Sequence, residues 1–202
     1  MKLNLPNKIT VARIILSIIA IIILLIPWYD LNYKFPEYVV NGEIISLKYI
    51  IVGIIFVIAS LTDFLDGYLA RSRNMVTDFG KVADAIADKI LVNGLLIILA
   101  YDRLIPIVVP VVIVTRDIIV DSCKMISGSK GKVVAASFLG KAKTMCMMIG
   151  MTLTFFGNFP FNYLNFPLDK LLILIATILS VISGCQYYYN TREFLFPNNL
   201  QK

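Results

Sequence analysis

The sequence contains no histidine. That removes the commonest general base and the commonest transition-metal ligand, so any metal would be held by carboxylate oxygens, which favours Mg²⁺ or Mn²⁺ over zinc. Cysteine is scarce too. Cys123, Cys146 and Cys185 are scattered in apolar surroundings with no Cys-x-x-Cys spacing, which points to packing rather than redox chemistry. Charge is the third shortage: 16% of the 202 residues are charged, where soluble domains carry about 25%. What fills the chain instead is hydrocarbon, with 58% hydrophobic residues and a mean hydropathy of +0.81. This is the composition of a multi-pass membrane protein. Once several spans are counted there is no room for a second domain, so a single membrane domain over residues 1–202 is expected.

Six apolar segments follow one another, roughly 9–27, 47–70, 80–101, 104–126, 134–157 and 168–190. Each approaches the ~20 residues that cross ~30 Å of hydrocarbon at 1.5 Å per residue. Backbone in lipid must satisfy its own hydrogen bonds, so the expected fold is an all-α integral membrane protein with six transmembrane helices. Basic residues set the orientation. With the N-terminus in the cytosol, only Lys34, Lys48, Arg103 and Lys170 of the 19 Lys and Arg lie outside. Both termini are then cytosolic. The net charge of +6 is that of a cytoplasmic membrane face, and no nucleic-acid partner is expected. The basic stretch Gly128-Ser129-Lys130-Gly131-Lys132 reads as a flexible inner loop facing anionic headgroups.

The N-terminal run Ile9–Ile26 follows Lys2 and Lys8 but is succeeded by Pro27-Trp28-Tyr29 rather than a small-residue cleavage pattern, so it reads as a retained span. Ahead of it, Leu3–Asn7 reads either as an interfacial helix or as a frayed tail. The outer loop 28–46 carries Asp30, Glu37 and Glu43 among aromatics, as an interfacial segment would.

Against this background four carboxylates stand out. Asp63 and Asp66 are three apart, and Asp84 and Asp88 four apart, so on helices each pair projects from one face. Gly80 lies on the stripe of Asp84 and Asp88, where a missing side chain allows close helix approach. A short inner loop at about 72–79 is expected to make the two helices antiparallel neighbours and bring the four acids to one point. Ionisable groups at membrane depth are functional candidates. Four anions within a few ångströms repel one another, and two bridged Mg²⁺ ions would remove the difficulty and suit displacement at phosphorus. Gly67 leaves backbone room for a bulky ligand, and Arg71 supplies a cation for a phosphate. Two other readings of the acids are a decorated surface and the ion relay of a cation or proton transporter.

The ordered run Asp63-x-x-Asp66-Gly67-x-x-Ala70-Arg71-x8-Gly80-x3-Asp84-x3-Asp88 resembles the complete signature of the CDP-alcohol phosphatidyltransferases. The resemblance implies a CDP-linked lipid, usually CDP-diacylglycerol, whose pyrophosphate lies on two divalent cations, Mg²⁺ or Mn²⁺. It implies that Asp63, Asp66 and Asp84 hold one metal and Asp63, Asp84 and Asp88 the other. Asp88 would also accept the proton of the attacking alcohol, and Asp63, Asp66, Gly67, Ala70 and Arg71 would line the CDP-lipid pocket. It further implies a six-span homodimer in the cell membrane with its active-site cavity open to the cytosol.

The signature does not name the alcohol. Arg116 lies about halfway along the fourth segment, and Lys141 and Lys143 open the fifth, which suggests an anionic acceptor such as a phosphorylated polyol. Alternatively, the two lysines are positive-inside anchors and Arg116 pairs structurally with Asp117 or Asp121. The Arg-acidic pair, Gly140-Lys141-x-Lys143-Thr144, the opening Pro6-Asn7-x-x-Thr10-x-x-Arg13 and the closing Ser183-Gly184-x-x-Tyr187 resemble the branch of the family that makes phosphatidylglycerophosphate. That resemblance implies transfer from CDP-diacylglycerol to sn-glycerol 3-phosphate with release of CMP, the acceptor phosphate being taken by Arg116, Lys141 and Lys143. Sister enzymes use inositol phosphate or phosphatidylglycerol instead. Asp117 stands where the branch usually has Glu, and Ala85 where Pro often follows the third aspartate.

Overall fold

The computed structural model describes residues 4–40, 43–72, 75, 77–131 and 138–195, with side chains at all of these except 43, 70, 71 and 193–195. Its helices are α1 (Leu5–Leu25), α2 (Leu47–Ser72), α3 (Asp78–Tyr101), α4 (Val108–Ser129), α5 (Phe138–Phe155) and α6 (Leu168–Leu195). Each falls on one of the apolar segments. Pro6 sits in the first turn of α1, where its missing N–H costs nothing, so from Leu5 onward the chain is neither a separate interfacial piece nor a frayed tail. Thr77 starts α3 by accepting a hydrogen bond from the Gly80 amide at 3.0 Å, with Asp78 in the positive first turn.

α1 is amphipathic in the sense that lipid requires. Asn7, Thr10, Arg13 and Ser17 recur every three or four residues and are buried, whereas Ile15, Ile18, Ile19 and Ile22 are exposed. A polar inner stripe with an apolar outer face is the inverse of a soluble helix, because the surrounding solvent is hydrocarbon. By length and apolarity, the helices Leu5–Leu25, Leu47–Leu69 and Leu168–Arg192 qualify as membrane spans. α3, α4 and α5 each carry charged residues within their helices.

The helices pack as a closed ring in the order α1, α2, α5, α6, α4, α3. Two tight triplets make it up, α1–α3 and α4–α6, and they meet along two sparser seams, α2 with α5 and α3 with α4. One end of the ring is filled by the apolar core, to which all six helices contribute: Ala20, Phe56, Leu95, Ile113, Met151 and Ile173 are typical members. Apart from Lys48 in the first turn of α2, the charged residues of α1–α5 collect at the other end.

Two features depart from the sequence reading. First, α2 and α3 are not direct packing partners: α1 lies against both, and α2 and α3 have little contact with each other. Second, the outer loop holds a β-hairpin, β1 (Glu37–Val40) and β2 (Glu43–Ser46), paired antiparallel from Glu37 with Ser46 to Val40 with Glu43. Its signal is in the sequence: Tyr38-Val39-Val40 and Ile44-Ile45 flank Asn41-Gly42, the dipeptide that favours a two-residue turn. The hairpin lies next to an aromatic cluster of Trp28, Tyr33 and Phe35 at the core end, away from the four aspartates.

Candidate active site

The i,i+3 and i,i+4 spacings do place the acids of each pair on one helix face, and the four converge, but through α1. Arg13 is fully buried at their centre. Its Nη1 donates to Asp63 Oδ1 and its Nη2 to Asp84 Oδ1. Asp88 Oδ1 lies 3.4 Å from Nη1, and Asp66 Oδ2 lies 3.8 Å from Nη2. A planar fork with five donors is the side chain that suits such a role. Asp66, only 4% exposed, also accepts a hydrogen bond from Thr10 Oγ1 at 3.0 Å.

Asn7, one turn before Thr10, exchanges hydrogen bonds with Thr77: its amide donates to Thr77 Oγ1 at 3.0 Å, and the Thr77 hydroxyl reaches Asn7 Oδ1 at 3.2 Å. Gly80 makes that contact possible, since a Cβ there would stand 2.7 Å from Asn7 Oδ1 and 3.0 Å from Thr77 Oγ1. The opening motif Pro6 to Arg13 is thus the strut that spaces the two acidic helices. Sequence reasoning missed this role for Asn7, Thr10 and Arg13. The readable signal was a polar stripe at helical spacing in an otherwise apolar span.

The donor set fits a hard divalent cation. Ligand oxygens of Asp63, Asp66 and Asp84 lie within 4.8 Å of one another. Among the described residues, the ion pairs to the four carboxylates come from Arg13 alone, which leaves the cluster strongly negative. Asp88 Oδ1 is buried with no hydrogen-bond partner, its positive neighbour being Arg13 Nη1 at 3.4 Å. Oxygen-only ligands without imidazole or thiolate suit a cation of the magnesium type. Gly67 lines a cavity of about 200 Å³ with Pro6, Thr10, Asp66, Gly80 and Asp84. The side chains of Ala70 and Arg71, assigned by resemblance to the same pocket, lie outside the described residues.

The predicted acceptor cations stand on the other triplet. Arg116 in α4 is largely buried: Nε donates to Ser180 O at 3.3 Å, Nη2 to Ser183 Oγ at 2.9 Å, and Nη1 to Asp117 Oδ1 at 3.2 Å. A Cβ at Gly184 would stand 3.0 Å from Arg116 Cγ. The closing motif Ser183-Gly184 is therefore the seat of Arg116. Buried Lys143 donates to the same Asp117 oxygen at 3.0 Å. Asp117 thus pairs with Arg116 as one sequence reading anticipated, while also holding Lys143. Asp121, one turn further along α4, pairs with Lys89 of α3 and, at 3.7 Å, with Lys124.

Two cavities join the triplets along the seams. One, of about 360 Å³, has Asp84 and Asp88 on its α3 wall and Arg116, Asp117 and Lys143 opposite. The other, of about 570 Å³, is bounded by Asp63, Arg116, Lys141, Lys143 and Tyr187. All three predicted cations therefore line cavities shared with the acidic cluster. A ligand there would meet carboxylates on one side and a guanidinium with two ammonium groups on the other.

The family model described as CDP-alcohol phosphatidyltransferase matches residues 3–182. A CDP-diacylglycerol–glycerol-3-phosphate 3-phosphatidyltransferase of Bacillus subtilis (strain 168) is 40% identical over 97% of this chain and 99% of its own length. Proteins of the same name from Rickettsia bellii and Wigglesworthia glossinidia brevipalpis are 30% and 29% identical, over 95% and 98% of this chain and 97% and 100% of theirs.

Proposed function

Since the chain belongs to the CDP-alcohol phosphatidyltransferase family, we propose that it transfers the phosphatidyl group of CDP-diacylglycerol to sn-glycerol 3-phosphate, giving phosphatidylglycerophosphate and CMP. The observation that carries this acceptor is the basic wall facing the acids: Arg116 and Lys143 across a 360 Å³ cavity from Asp84 and Asp88. A dianionic phosphate is the ligand such a wall recognises, and a cationic amino alcohol gives it nothing to bind.

The acidic cluster takes the donor. Asp63, Asp66, Asp84 and Asp88 would hold two divalent cations, Mg²⁺ or Mn²⁺, which when bound offset the charge of the pyrophosphate and of the departing CMP. Asp66 and Gly67 face the small cavity in which the nucleotide end would lie, with Ala70 and Arg71 following on the same helix. Arg13 holds Asp63 and Asp84 in place, so their carboxylates need not reorganise during the reaction.

Arg116, Lys141 and Lys143 would hold the acceptor phosphate and direct its free hydroxyl toward the acids. The hydroxyl oxygen attacks the phosphorus that carries the diacylglycerol. Its bond to the bridging oxygen breaks, CMP leaves with that oxygen, and the hydroxyl proton passes to Asp88. The Oδ1 of Asp88 accepts no hydrogen bond, which supports this role, since a base must have a free lone pair. No covalent enzyme intermediate is needed.

All of this lies in one membrane domain. Six helices with basic residues gathered at the charged end support six spans, cytosolic termini and a site open to the cytosolic face of the cell membrane. A homodimer is adopted from the family resemblance. A panel of acceptors with the purified protein tests the reading. CMP release from CDP-diacylglycerol should require sn-glycerol 3-phosphate and Mg²⁺ or Mn²⁺, and stop with EDTA. Equal turnover with serine, or turnover only with inositol phosphate or phosphatidylglycerol, would assign a different acceptor.

A further inference from the structure

We infer that Lys89, held by Asp121 across the seam between α3 and α4, is a further cation for the acceptor phosphate, and that Asp121 occupies it until that phosphate arrives. The inference rests on the acceptor reading above and extends it to a residue from the acidic triplet.

Lys89 immediately follows Asp88 on α3, yet it turns to α4 rather than to the acids. Asp121 accepts an ion pair from it and a second, at 3.7 Å, from Lys124. All three line the 360 Å³ cavity that also contains Asp88, Arg116 and Lys143. A mere brace between helices would be an unpromising reading of this pair. The side chains of Lys89 and Asp121 are 47% and 33% exposed, and an exposed ion pair contributes little to stability. Weak pairing is what an exchange site needs. A phosphate dianion carries more charge than the single carboxylate of Asp121 and displaces it readily. The cavity then repeats one device twice: Asp117 occupies Arg116 and Lys143, and Asp121 occupies Lys89 and Lys124. With neighbouring positions on α3, Lys89 would tether the acceptor phosphate close to the base that receives the hydroxyl proton.

The test is steady-state kinetics of the full-length protein in detergent or vesicles, with sn-glycerol 3-phosphate and CDP-diacylglycerol varied in turn. Lys89→Gln should raise the KM for glycerol 3-phosphate about tenfold or more, with the KM for CDP-diacylglycerol and the Mg²⁺ requirement unchanged. Lys89→Arg should restore most of the loss, and inorganic phosphate should compete less well against Lys89→Gln than against the parent. Asp121→Asn, which frees the lysine without removing it, should lower the acceptor KM. A structural brace would instead show similar damage in both variants and equal effects on both substrates, and that pattern overturns the inference. An unchanged acceptor KM in Lys89→Gln overturns it while leaving the acceptor assignment intact. If the parent protein itself does not turn over glycerol 3-phosphate, both fall together.

Discussion

Lys143 Nζ lies 3.0 Å from Asp117 Oδ1, and Arg116 reaches the same oxygen at 3.2 Å. One carboxylate thus holds two cations, one from α4 and one from α5. Lys143→Met should raise the KM for glycerol 3-phosphate by about 10- to 100-fold, as expected for losing a charge-assisted hydrogen bond of about 1.5–3 kcal/mol. The KM for CDP-diacylglycerol should stay put, and a parallel rise in both would remove Lys143 from the acceptor site.

Arg13 engages all four aspartates from a fully buried position. Arg13→Lys keeps the charge and discards the fork. If geometry matters, kcat/KM for the CDP lipid should drop about tenfold or more, because one ammonium cannot hold two carboxylates at fixed angles. Near-parental activity would show that Arg13 supplies charge alone.

Thr10 touches the site through a single hydrogen bond to Asp66. Thr10→Val has the same shape and lacks the donor. About tenfold weaker binding of the CDP lipid, or a higher Mg²⁺ requirement, is expected, with no effect on the acceptor KM. An acceptor-side effect would contradict the division between the two triplets.

Asp88→Asn preserves size and removes the proposed proton acceptor. Turnover should fall by about 10²–10⁴-fold, the usual contribution of a positioned base, while CDP-lipid binding measured by titration persists. Loss of binding in the variant would make Asp88 a metal ligand only.

Gly80→Ala pushes a methyl group into the Asn7–Thr77 contact, where 2.7 Å is far less than a carbon and an oxygen tolerate. About 1–3 kcal/mol of destabilisation is expected, read as a lower melting temperature in detergent. An unchanged melting temperature would mean that α1 and α3 can shift apart without cost.

The helices were legible because lipid imposes a simple demand, about 20 apolar residues per crossing. The acids were legible because Asp63, Asp66, Asp84 and Asp88 stand alone in hydrocarbon at helical spacing. Neighbour relations were not. A short loop between 72 and 79 suggested that α2 packs on α3, yet α1 serves both. Lateral order in a bundle depends on side-chain packing between helices, which hydropathy does not encode. In the sequence Arg13 is a basic residue near the inner face and the end of the opening motif, with nothing to say what it holds. Its partners are 50 and 71 positions away, so only the fold could reveal them. The hairpin at 37–46 is a different kind of miss, since Asn41-Gly42 between β-branched residues announced it.

The partition of the ring bears on how such a chain can diversify. Every carboxylate of the proposed metal set belongs to α2 or α3, while three of the four proposed acceptor cations, Arg116, Lys141 and Lys143, belong to α4 and α5. The seams between the triplets are sparse, so substitutions on one side have few contacts through which to disturb the other. A lineage could trade one alcohol for another by altering the second triplet, with the phosphorus chemistry inherited whole in the first. On the proposed assignment, the reaction and most of its choice of acceptor are separately heritable.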